Sequence, residues 1–303
     1  MTRIGLVLGA GGVAGQAFHA GVLTALDDVA GFDARRAEVI VGTSAGSIAA
    51  AFLRAGRGGH ELLGRFGSMP AGRSRGSSEY GEEALASPAA AAGLAVARPG
   101  RARIGGRIAG LVPAGRTSPG GIVSMIRGAA GDTWPRRTTW ICAVRRADGR
   151  RVVFGQQGAP AADLPRAVAA SCAIPGVFAP VRIDDELYVD GGAHSPTNLD
   201  LLAGLGLDLV VVSSPMSVSR SAALGPRVDL PPRLLFRATL AREARAVRRG
   251  GTTVVSIQPS ADDLRMMGLN AMNPRRAQDI ANQASATTRE RLADGDFRGL
   301  LAG

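Results

Sequence analysis

The sequence predicts an α/β protein, and three observations support this prediction. The first sixty residues alternate between short apolar runs and a helical apolar pattern, which is the order of a βαβ unit. Hydrophobic residues make up 46% of the chain and aromatic residues only 4%, so Ala, Val, Leu and Ile must build most of the core. At 303 residues, the chain can bury a large core as one domain or as one domain with an appendage.

The first βαβ unit occupies the N-terminal part of the chain. The apolar run from Ile4 to Leu8 predicts a buried parallel strand, and the glycines of residues 9–12 predict a turn. The next helix ends at Gly31, and its apolar face comprises Phe18, Val22, Ala25, Leu26 and Val29. A second strand, Val39 to Val41, leads into a glycine-flanked turn and a helical pattern from Ile48 to Leu53.

Residues 67–137 differ in composition, with much Gly, Ala, Arg, Ser and Pro and few large apolar residues. We interpret this segment as a cap or mobile insert. Within it, a short basic amphipathic pattern could contact a membrane surface, although its glycines favour a cap packed on the main domain. The pattern consists of Ile104, Ile108, Leu111 and Val112 on one helical face, with Arg101, Arg103 and Arg107 elsewhere.

Regular structure resumes after residue 137. A hairpin turns at residues 147–149, and a second turns at Asp184-Asp185-Glu186, whose carboxylates we interpret as a solvated turn. The predicted strands are Thr139 to Val144, Arg151 to Phe154, Val181 to Ile183, Leu187 to Val189, Leu207 to Val212 and Val254 to Ile257. The predicted helices are Leu164 to Cys172, Arg237 to Arg248 and Pro274 to Leu292.

The chain is strongly basic, with a formal net charge of +11 that comes from arginine, since lysine is absent. A basic surface favours anionic partners, and we expect possible peripheral contact with phospholipid headgroups through arginine. Nucleic acid is disfavoured because basic and aromatic residues do not interleave and zinc-ligand spacings are absent. We expect no cofactor and no metal, and oligomeric state cannot be read from this pattern.

The two cysteines, Cys142 and Cys172, are too few for a disulfide framework and are interpreted as buried apolar residues. We therefore expect a reducing, cytoplasmic environment. Glycines interrupt the apolar N-terminus too early for a signal peptide, and no run of about 18 apolar residues predicts a transmembrane helix.

Ser44 lies between Gly42 and Gly46 at the point where a strand turns into a helix. This is the sequence pattern of a nucleophile elbow, in which the glycines allow a tight turn and close approach of a substrate. The same pattern is also compatible with an ordinary strand-to-helix turn.

The segment Gly9-Ala10-Gly11-Gly12-Val13-Ala14-Gly15 joins the first strand to the first helix and exposes backbone N–H groups suited to an anion. It could bind a dinucleotide pyrophosphate, since Gly9-x-Gly11-x-x-Ala14 fits that fingerprint, or hold the oxyanion of an acyl intermediate. The second strand ends in Gly42-Thr43-Ser44 instead of the acid that binds a ribose, which disfavours the dinucleotide.

Asp190 follows the strand Leu187 to Val189 and precedes Gly191 and Gly192. A carboxylate at a strand end, with two glycines clearing space around it, can meet a serine from another strand end. An Asp-Gly turn without a catalytic role is the simpler alternative when this segment is taken alone.

A serine nucleophile needs a base, which is usually histidine. His194 follows Asp190 by four residues and is a candidate for a Ser44, Asp and His194 triad of the α/β-hydrolase type. We expect His60 to be exposed in a polar loop and His19 to be a packing or surface residue.

Together these residues resemble a family. The glycine loop ending at Gly15, the Ser44 turn and the Asp190-Gly191-Gly192 segment look like the three motifs of patatin-like phospholipases. The stretch from Ala169 to Phe178 resembles the segment that precedes the aspartate in that family. The resemblance covers roughly residues 3–215, with about seventy poorly matching residues in the middle.

The resemblance implies a three-layer fold with a mostly parallel central sheet flanked by helices. Residues 1–215 would form the catalytic domain, and residues 216–303 a C-terminal helical extension that completes it. It also implies a Ser44-Asp190 catalytic dyad, with an oxyanion hole formed by Gly11, Gly12 and Val13. The sequence departs from the family at Val13 and Ala14, where the glycine loop usually carries Arg or Lys.

The implied function is a lipid acyl hydrolase that cleaves carboxylic esters of glycerolipids through an acyl-enzyme intermediate. A non-catalytic acyl- or phosphate-binding module on the same fold is the alternative. Headgroup and chain-length preferences cannot be read from the sequence. Met266, Met267, Leu269 and Met272 are candidates to line an acyl channel, but such methionines more often fill gaps in a core.

Overall fold

One mostly parallel sheet occupies the centre of the protein. The computed structural model describes residues 2–67, 113–225 and 227–293, and within these ranges the sheet has eight strands in the order β5-β6-β3-β2-β1-β7-β8, with β4 also paired to β3. The strands are β1 Ile4–Leu8, β2 Val39–Thr43, β3 Thr138–Arg145, β4 Arg151–Phe154, β5 Val181–Ile183, β6 Glu186–Asp190, β7 Leu209–Ser213 and β8 Thr253–Ile257.

The parallel part of the sheet runs from β3 through β2, β1 and β7 to β8. The three remaining strands are antiparallel to their neighbours, because β4 and β6 run against β3 and β5 runs against β6. Buried central strands explain the continuous apolar runs seen in the sequence.

Helices cover both faces of this sheet. They are α1 Gly12–Ala30, α2 Ala45–Arg54, α3 Gly59–Gly67, α4 Gly120–Ala130, α5 Leu164–Ser171, α6 Leu230–Arg248, α7 Ala261–Met267 and α8 Ala277–Ala293. Successive side chains of β1 point to opposite faces: Leu6 and Leu8 pack into the larger core with α1 and α2, and Val7 packs into the core under α6. The predicted α/β fold with a sheet between helical layers is confirmed.

The C-terminal part of the chain contributes to both layers and to the sheet. Residues 253–257 form β8 at one edge of the sheet, and α8 packs along α1. Helix α6 begins at Leu230, seven residues before the predicted start at Arg237. Pro231 and Pro232 lie in its first turn, where a missing N–H costs nothing.

The segment of different composition contains more regular structure than its glycines suggested. Helix α4 buries Ile122 and Ile126 and packs against α5. Residues 68–112 lie outside the described residues, and with them the whole amphipathic pattern around Ile104 and Ile108.

Candidate active site

Strands β2 and β6 meet end to end beside β3, and this brings Ser44 and Asp190 together. At Ile141 and Cys142, β3 pairs with β2 and with β4, so those two strands lie on opposite edges of β3. At Ala143, β3 pairs with β4 and with Asp190 of β6, so β6 shares an edge with β2. Because β2 runs parallel and β6 antiparallel to β3, their carboxyl ends point toward each other.

Ser44 forms a strained turn between β2 and α2. Its backbone has φ 52° and ψ −118°, a conformation that costs a non-glycine residue on the order of 1–3 kcal/mol. Its N–H donates to the Ser171 hydroxyl at 2.9 Å, and its carbonyl accepts from the Ser47 hydroxyl at 2.6 Å. The side chain of Ser44 is almost fully buried. This is the geometry of a nucleophile elbow.

Asp190 is buried beside Ser44. Burial raises the pKa of its carboxyl group from 3.8 to about 7, and hydrogen bonds from the Ser44 hydroxyl and the Gly192 N–H oppose part of that rise in pKa. The Gly192 N–H lies 2.7 Å from Oδ1. The carboxyl group therefore changes charge near neutral pH, which suits a group that accepts and returns a proton.

The glycine loop lies against both of these residues. The carbonyl of Gly9 accepts a hydrogen bond from the Gly46 N–H at 3.1 Å, which ties the loop to the Ser44 turn. A Cβ at Gly192 would stand 3.4 Å from the Ala10 side chain, so the Asp190 segment also contacts the loop. The three motifs found separately in the sequence are thus brought together at one end of the sheet.

Three backbone donors of this loop are free. Ala10 and Ala14 donate their N–H groups to the carbonyls of Pro196 and Ala271, each at 2.8 Å. The N–H groups of Gly11, Gly12 and Val13 make no hydrogen bond to any residue that the structure describes. Gly12 has φ 62°, so a glycine suits this turn. Three free donors at the N-terminus of α1 are suited to an anion, and we refer to them as the anion site of the loop.

The other motif glycines clear space for close backbone approaches. A Cβ at Gly46 would lie 1.9 Å from the Leu8 carbonyl oxygen, and a Cβ at Gly191 would lie 2.2 Å from that of Cys142. A Cβ at Gly42 would lie 2.7 Å from the Cα of Ser47. Each position is therefore closed to larger residues.

His194 is not joined to Ser44. Within the described residues its ring makes no hydrogen bond, whereas the Ser44 hydroxyl interacts with Asp190. Burial, and then the positive charges of Arg151 and Arg242, lower the pKa of His194 to about 4, against an opposing effect of Asp200. The residues that the structure describes thus assemble a serine and an aspartate without histidine.

His19 is buried, so of the two predicted alternatives the packing residue is confirmed, and it joins the glycine loop to the end of β7. Its Nε2 donates to the Gly9 carbonyl and its Nδ1 accepts from the Ser213 hydroxyl, both at 2.8 Å. Burial lowers the pKa of the ring to about 4, so His19 is neutral. His60 was expected in a loop but lies in α3, exposed and 2.8 Å from Asp28.

Two residues of α5 and the turn after it support the Ser44 turn. The Ser171 hydroxyl donates to the Cys142 carbonyl at 2.6 Å while accepting from Ser44. The buried Cys172 thiol lies 3.6 Å from the Ser47 hydroxyl, and burial together with the charge of Asp190 raises its pKa. Both cysteines are buried, as predicted.

A buried carboxylate in α6 organises the loop that follows Asp190. Glu243 accepts hydrogen bonds from the Ser195 and Thr197 hydroxyls, each at 2.6 Å, and from the Leu199 N–H at 3.0 Å. Burial raises its pKa. The sequence offered no indication of this role, because Glu243 sits in a helix dominated by arginine.

This loop touches the two motifs beside it. The Asn198 amide donates to the Thr43 hydroxyl at 3.0 Å, next to Ser44. The Pro196 carbonyl accepts from Ala10 in the glycine loop. The loop therefore connects Glu243 to both the serine turn and the anion site.

Met267 is buried in the core, Met266 and Met272 pack against it, and Leu269 is exposed. Met272 also borders the glycine loop, since a Cβ at Gly12 would stand 2.7 Å from its sulfur.

Among residues 2–67, 113–225 and 227–293, no group of three His, Cys, Asp or Glu side chains could hold a metal ion. None of the described helices is both long and apolar enough to cross a membrane.

The model of the patatin-like phospholipase family matches residues 6–203, about two thirds of the chain. The chain belongs to this family. Membership in this family supports lipid hydrolase activity. The resemblance drawn from the glycine loop, the Ser44 turn and the Asp190 segment is confirmed.

Individual relatives are similar to this chain over short stretches or at low sequence identity. Uncharacterized NTE family proteins of Mycobacterium tuberculosis and Mycobacterium bovis are 41% identical over 69 residues, which cover 23% of this chain and 18% of theirs. The crystal structure of the type III effector ExoU matches 97% of this chain and 53% of its own, with 20% identity and a TM-score of 0.40. That of VipD from Legionella pneumophila matches 97% and 67%, with 14% identity and a TM-score of 0.47.

Proposed function

We propose that this protein is a lipid acyl hydrolase that cleaves carboxylic esters of glycerolipids through a Ser44-Asp190 dyad. The observation that carries the proposal is the end-to-end meeting of β2 and β6 beside β3, which sets the two side chains against each other. Family membership, the strained Ser44 turn and the free N–H groups of the glycine loop support it.

In the first step, the Ser44 hydroxyl attacks the ester carbonyl carbon. Asp190, in its ionised form, takes the hydroxyl proton, and the carbonyl oxygen becomes an oxyanion. The N–H groups of Gly11, Gly12 and Val13 stabilise that charge together with the dipole of α1. Collapse of the intermediate breaks the bond to the alcohol, which leaves with the proton from Asp190, and an acyl-Ser44 ester remains.

In the second step, water attacks the acyl-Ser44 carbonyl. Asp190 accepts a proton from that water, the oxyanion forms again in the glycine loop, and the Ser44 oxygen leaves as the fatty acid is released. The proton returns from Asp190 to Ser44, which restores the starting state. Because Val13 stands where relatives usually carry a cation, backbone donors and the helix dipole stabilise the oxyanion in this protein.

Covalent labelling of the serine tests the proposal most directly. A fluorophosphonate should label Ser44, and S44A should abolish the labelling. With a p-nitrophenyl acyl ester, S44A and D190N should each lower kcat/KM by at least about a thousandfold, and H194A should keep it within about threefold. Circular dichroism of each variant controls for folding.

The same experiment separates the alternatives. If H194A is inactive and D190N retains activity, a histidine-based triad replaces the dyad. If well-folded protein shows neither labelling at Ser44 nor ester hydrolysis, the site is a non-catalytic acyl- or phosphate-binding module.

A further inference from the structure

Helix α6 exposes one stripe that changes character along its length. The exposed positions recur every three or four residues and so lie on one side of the helix. In chain order they are Pro231, Leu234, Leu235, Ala238 and Ala241, followed by Arg242, Arg245, Arg248 and Arg249. The half of the stripe nearer the start of the helix is apolar, and the other half is basic.

Two further large apolar side chains are exposed in the residues that precede the helix. Leu224 and Val228, just before the helix, are 88% and 81% exposed, and Leu234 and Leu235 are 40% and 39% exposed. Large apolar side chains that gather on a surface mark a place of binding. We call these four residues, together with the four arginines, the docking surface.

The basic half of the docking surface has no acidic counterpart. Within the described residues, Arg242, Arg245, Arg248 and Arg249 form no ion pair with a carboxylate. The acids nearest in sequence are unavailable, because Arg227 and Arg233 hold Asp229 at 2.9 and 2.7 Å, and Glu243 is buried on the other side of the helix. Arg248 does donate to the Val254 carbonyl at 2.7 Å. A row of four guanidinium groups without a carboxylate partner among the described residues complements an array of phosphates.

The apolar end of the docking surface lies next to the glycine loop. Arg233, in the first turns of α6, donates to the Pro215 carbonyl at 2.9 Å. The ring of Pro215 in turn packs on the loop, since a Cβ at Gly11 would stand 2.8 Å from its Cγ. A partner that covers Leu234 and Leu235 is therefore close to the anion site.

We propose that this docking surface binds an anionic phospholipid bilayer, with the four apolar side chains in the interfacial layer and the four arginines on headgroup phosphates. The choice of a bilayer rests on the proposed function, in which a lipid is the substrate. It is favoured by the combination of exposed leucines with arginines that have no carboxylate partner among the described residues, which suits a surface that offers an apolar layer beneath phosphates. Nucleic acid would leave the leucines uncovered.

Vesicle sedimentation tests the binding apart from hydrolysis. The S44A protein is used so that the lipid stays intact during the measurement. It should sediment with vesicles of phosphatidylcholine and phosphatidylserine and remain in solution with phosphatidylcholine alone, and added salt should weaken the binding.

Two variants and one control localise the surface. In the S44A background, R242Q/R245Q/R248Q/R249Q should weaken vesicle binding at least about tenfold, since each arginine near a charged surface contributes. L224S/L234S should weaken it as well, because apolar contact is lost. The control replaces four exposed arginines elsewhere with the same change in net charge, R116Q/R136Q/R137Q/R182Q, and should bind like the parent protein.

Three outcomes would overturn the inference. Equal loss in the control would show attraction by net charge alone. Unchanged vesicle binding in both docking-surface variants would place the contact elsewhere. A shift of the wild-type protein to a dimer on gel filtration, abolished by L224S/L234S, or binding of a DNA duplex at the same salt that depends on the four arginines without vesicle binding, would assign another occupant.

Hydrolysis of a soluble p-nitrophenyl ester keeps the two proposals separate. On a background with Ser44 intact, both docking-surface variants should hydrolyse this substrate like the wild type. If the wild type binds vesicles but hydrolyses no ester, the proposed function fails and the docking surface stands. If esters are hydrolysed and vesicles are not bound, the reverse holds.

Discussion

The Ser171 hydroxyl accepts a hydrogen bond from the backbone N–H of Ser44 and passes one on to the Cys142 carbonyl, at 2.9 and 2.6 Å. It thereby joins the strained serine turn, held at φ 52°, to the strand on which β2 and β6 meet. Ser171 thus holds the conformation of the proposed nucleophile without touching the substrate.

Replacing Ser171 with alanine should lower both stability and turnover. The buried Ser44 N–H would lose its acceptor, which costs about 1–3 kcal/mol in free energy of unfolding. The turn would also relax, so we expect kcat to fall about ten- to a hundredfold with KM little changed, and fluorophosphonate labelling of Ser44 to slow in parallel.

Thr24→Val is the matched control for this variant. Thr24 is a buried hydroxyl whose partner is the Ala20 carbonyl in α1, away from the serine turn. The Thr24→Val substitution should lower the free energy of unfolding and leave kcat unchanged. A similar kcat in S171A and wild type would show that the serine turn keeps its conformation without this hydrogen bond.

The pH dependence of hydrolysis should report the ionisation of Asp190. Its pKa is raised to about 7, and the proposed base must be ionised, so kcat/KM should rise about tenfold per pH unit below 7 and level off above it. A p-nitrophenyl ester measured from pH 5 to 9 shows the profile. H194A should give the same curve, because the pKa of His194 is lowered to about 4. A rate that stays flat from pH 5 to 9 would contradict a base whose pKa is raised to about 7.

Asp190 should also make the fold less stable as pH rises. Its pKa is about 7 in the folded protein and 3.8 without burial, so the folded state keeps a proton that the unfolded state loses. Stability from this group is full below pH 4 and is lost as the pH rises to 7, by up to about 4 kcal/mol.

Asp190→Asn removes that titration. It should raise Tm above that of the wild type at pH 8 and leave the two similar near pH 4, as measured by circular dichroism. Asp185→Asn, at an exposed hairpin turn, should show no such difference. Equal pH dependence of Tm in D190N and wild type would contradict a raised pKa.

The sequence predicted the part of the site that depends on backbone shape. Ser44, Asp190 and the glycine loop each follow a strand and carry glycines at positions where a Cβ would collide, so their patterns are visible in the chain. The continuous apolar runs likewise predicted the buried parallel strands. These features are local, which is why a single sequence reveals them.

The parts that depend on distant contacts could not be predicted. His19 is one residue in an apolar helix, and only the fold brings Ser213 to it from 194 positions away. Glu243 meets Ser195 over 48 positions. Helix α4 went unrecognised because its glycines lower helix propensity, whereas burial of Ile122 and Ile126 overrides that preference.

Glu243 lies beyond the stretch matched by the family model, and we expect its charge to matter for turnover. In E243Q an amide would face either Ser195 or the Thr197 and Leu199 donors, and one hydrogen bond would be lost. The loop would shift at Asn198, and kcat should fall several-fold while KM and the pH profile change little.

The exposed neighbour on the same helix provides the control. R242Q should hydrolyse a soluble ester like the wild type, since Arg242 is exposed and the Ser195, Thr197 and Leu199 donors bind Glu243 instead. Full activity in E243Q would show that Ser195 and Asn198 hold the loop without the carboxylate.

His19 and His60 make a matched pair for separating buried from exposed histidine. His19→Leu leaves the Gly9 carbonyl without one of its donors and the Ser213 hydroxyl without an acceptor in the core, so we expect a loss of about 2–4 kcal/mol in free energy of unfolding. His60→Leu removes only an exposed contact with Asp28 and should cost under about 0.5 kcal/mol.

Because Gly9 also accepts from the Gly46 N–H, displacement of this carbonyl would move the proposed oxyanion donors relative to Ser44. Urea unfolding gives the stabilities, and ester hydrolysis at saturating substrate should show a lower kcat in H19L alone. Equal kcat in both variants would separate His19 from the glycine loop and leave it a purely structural residue.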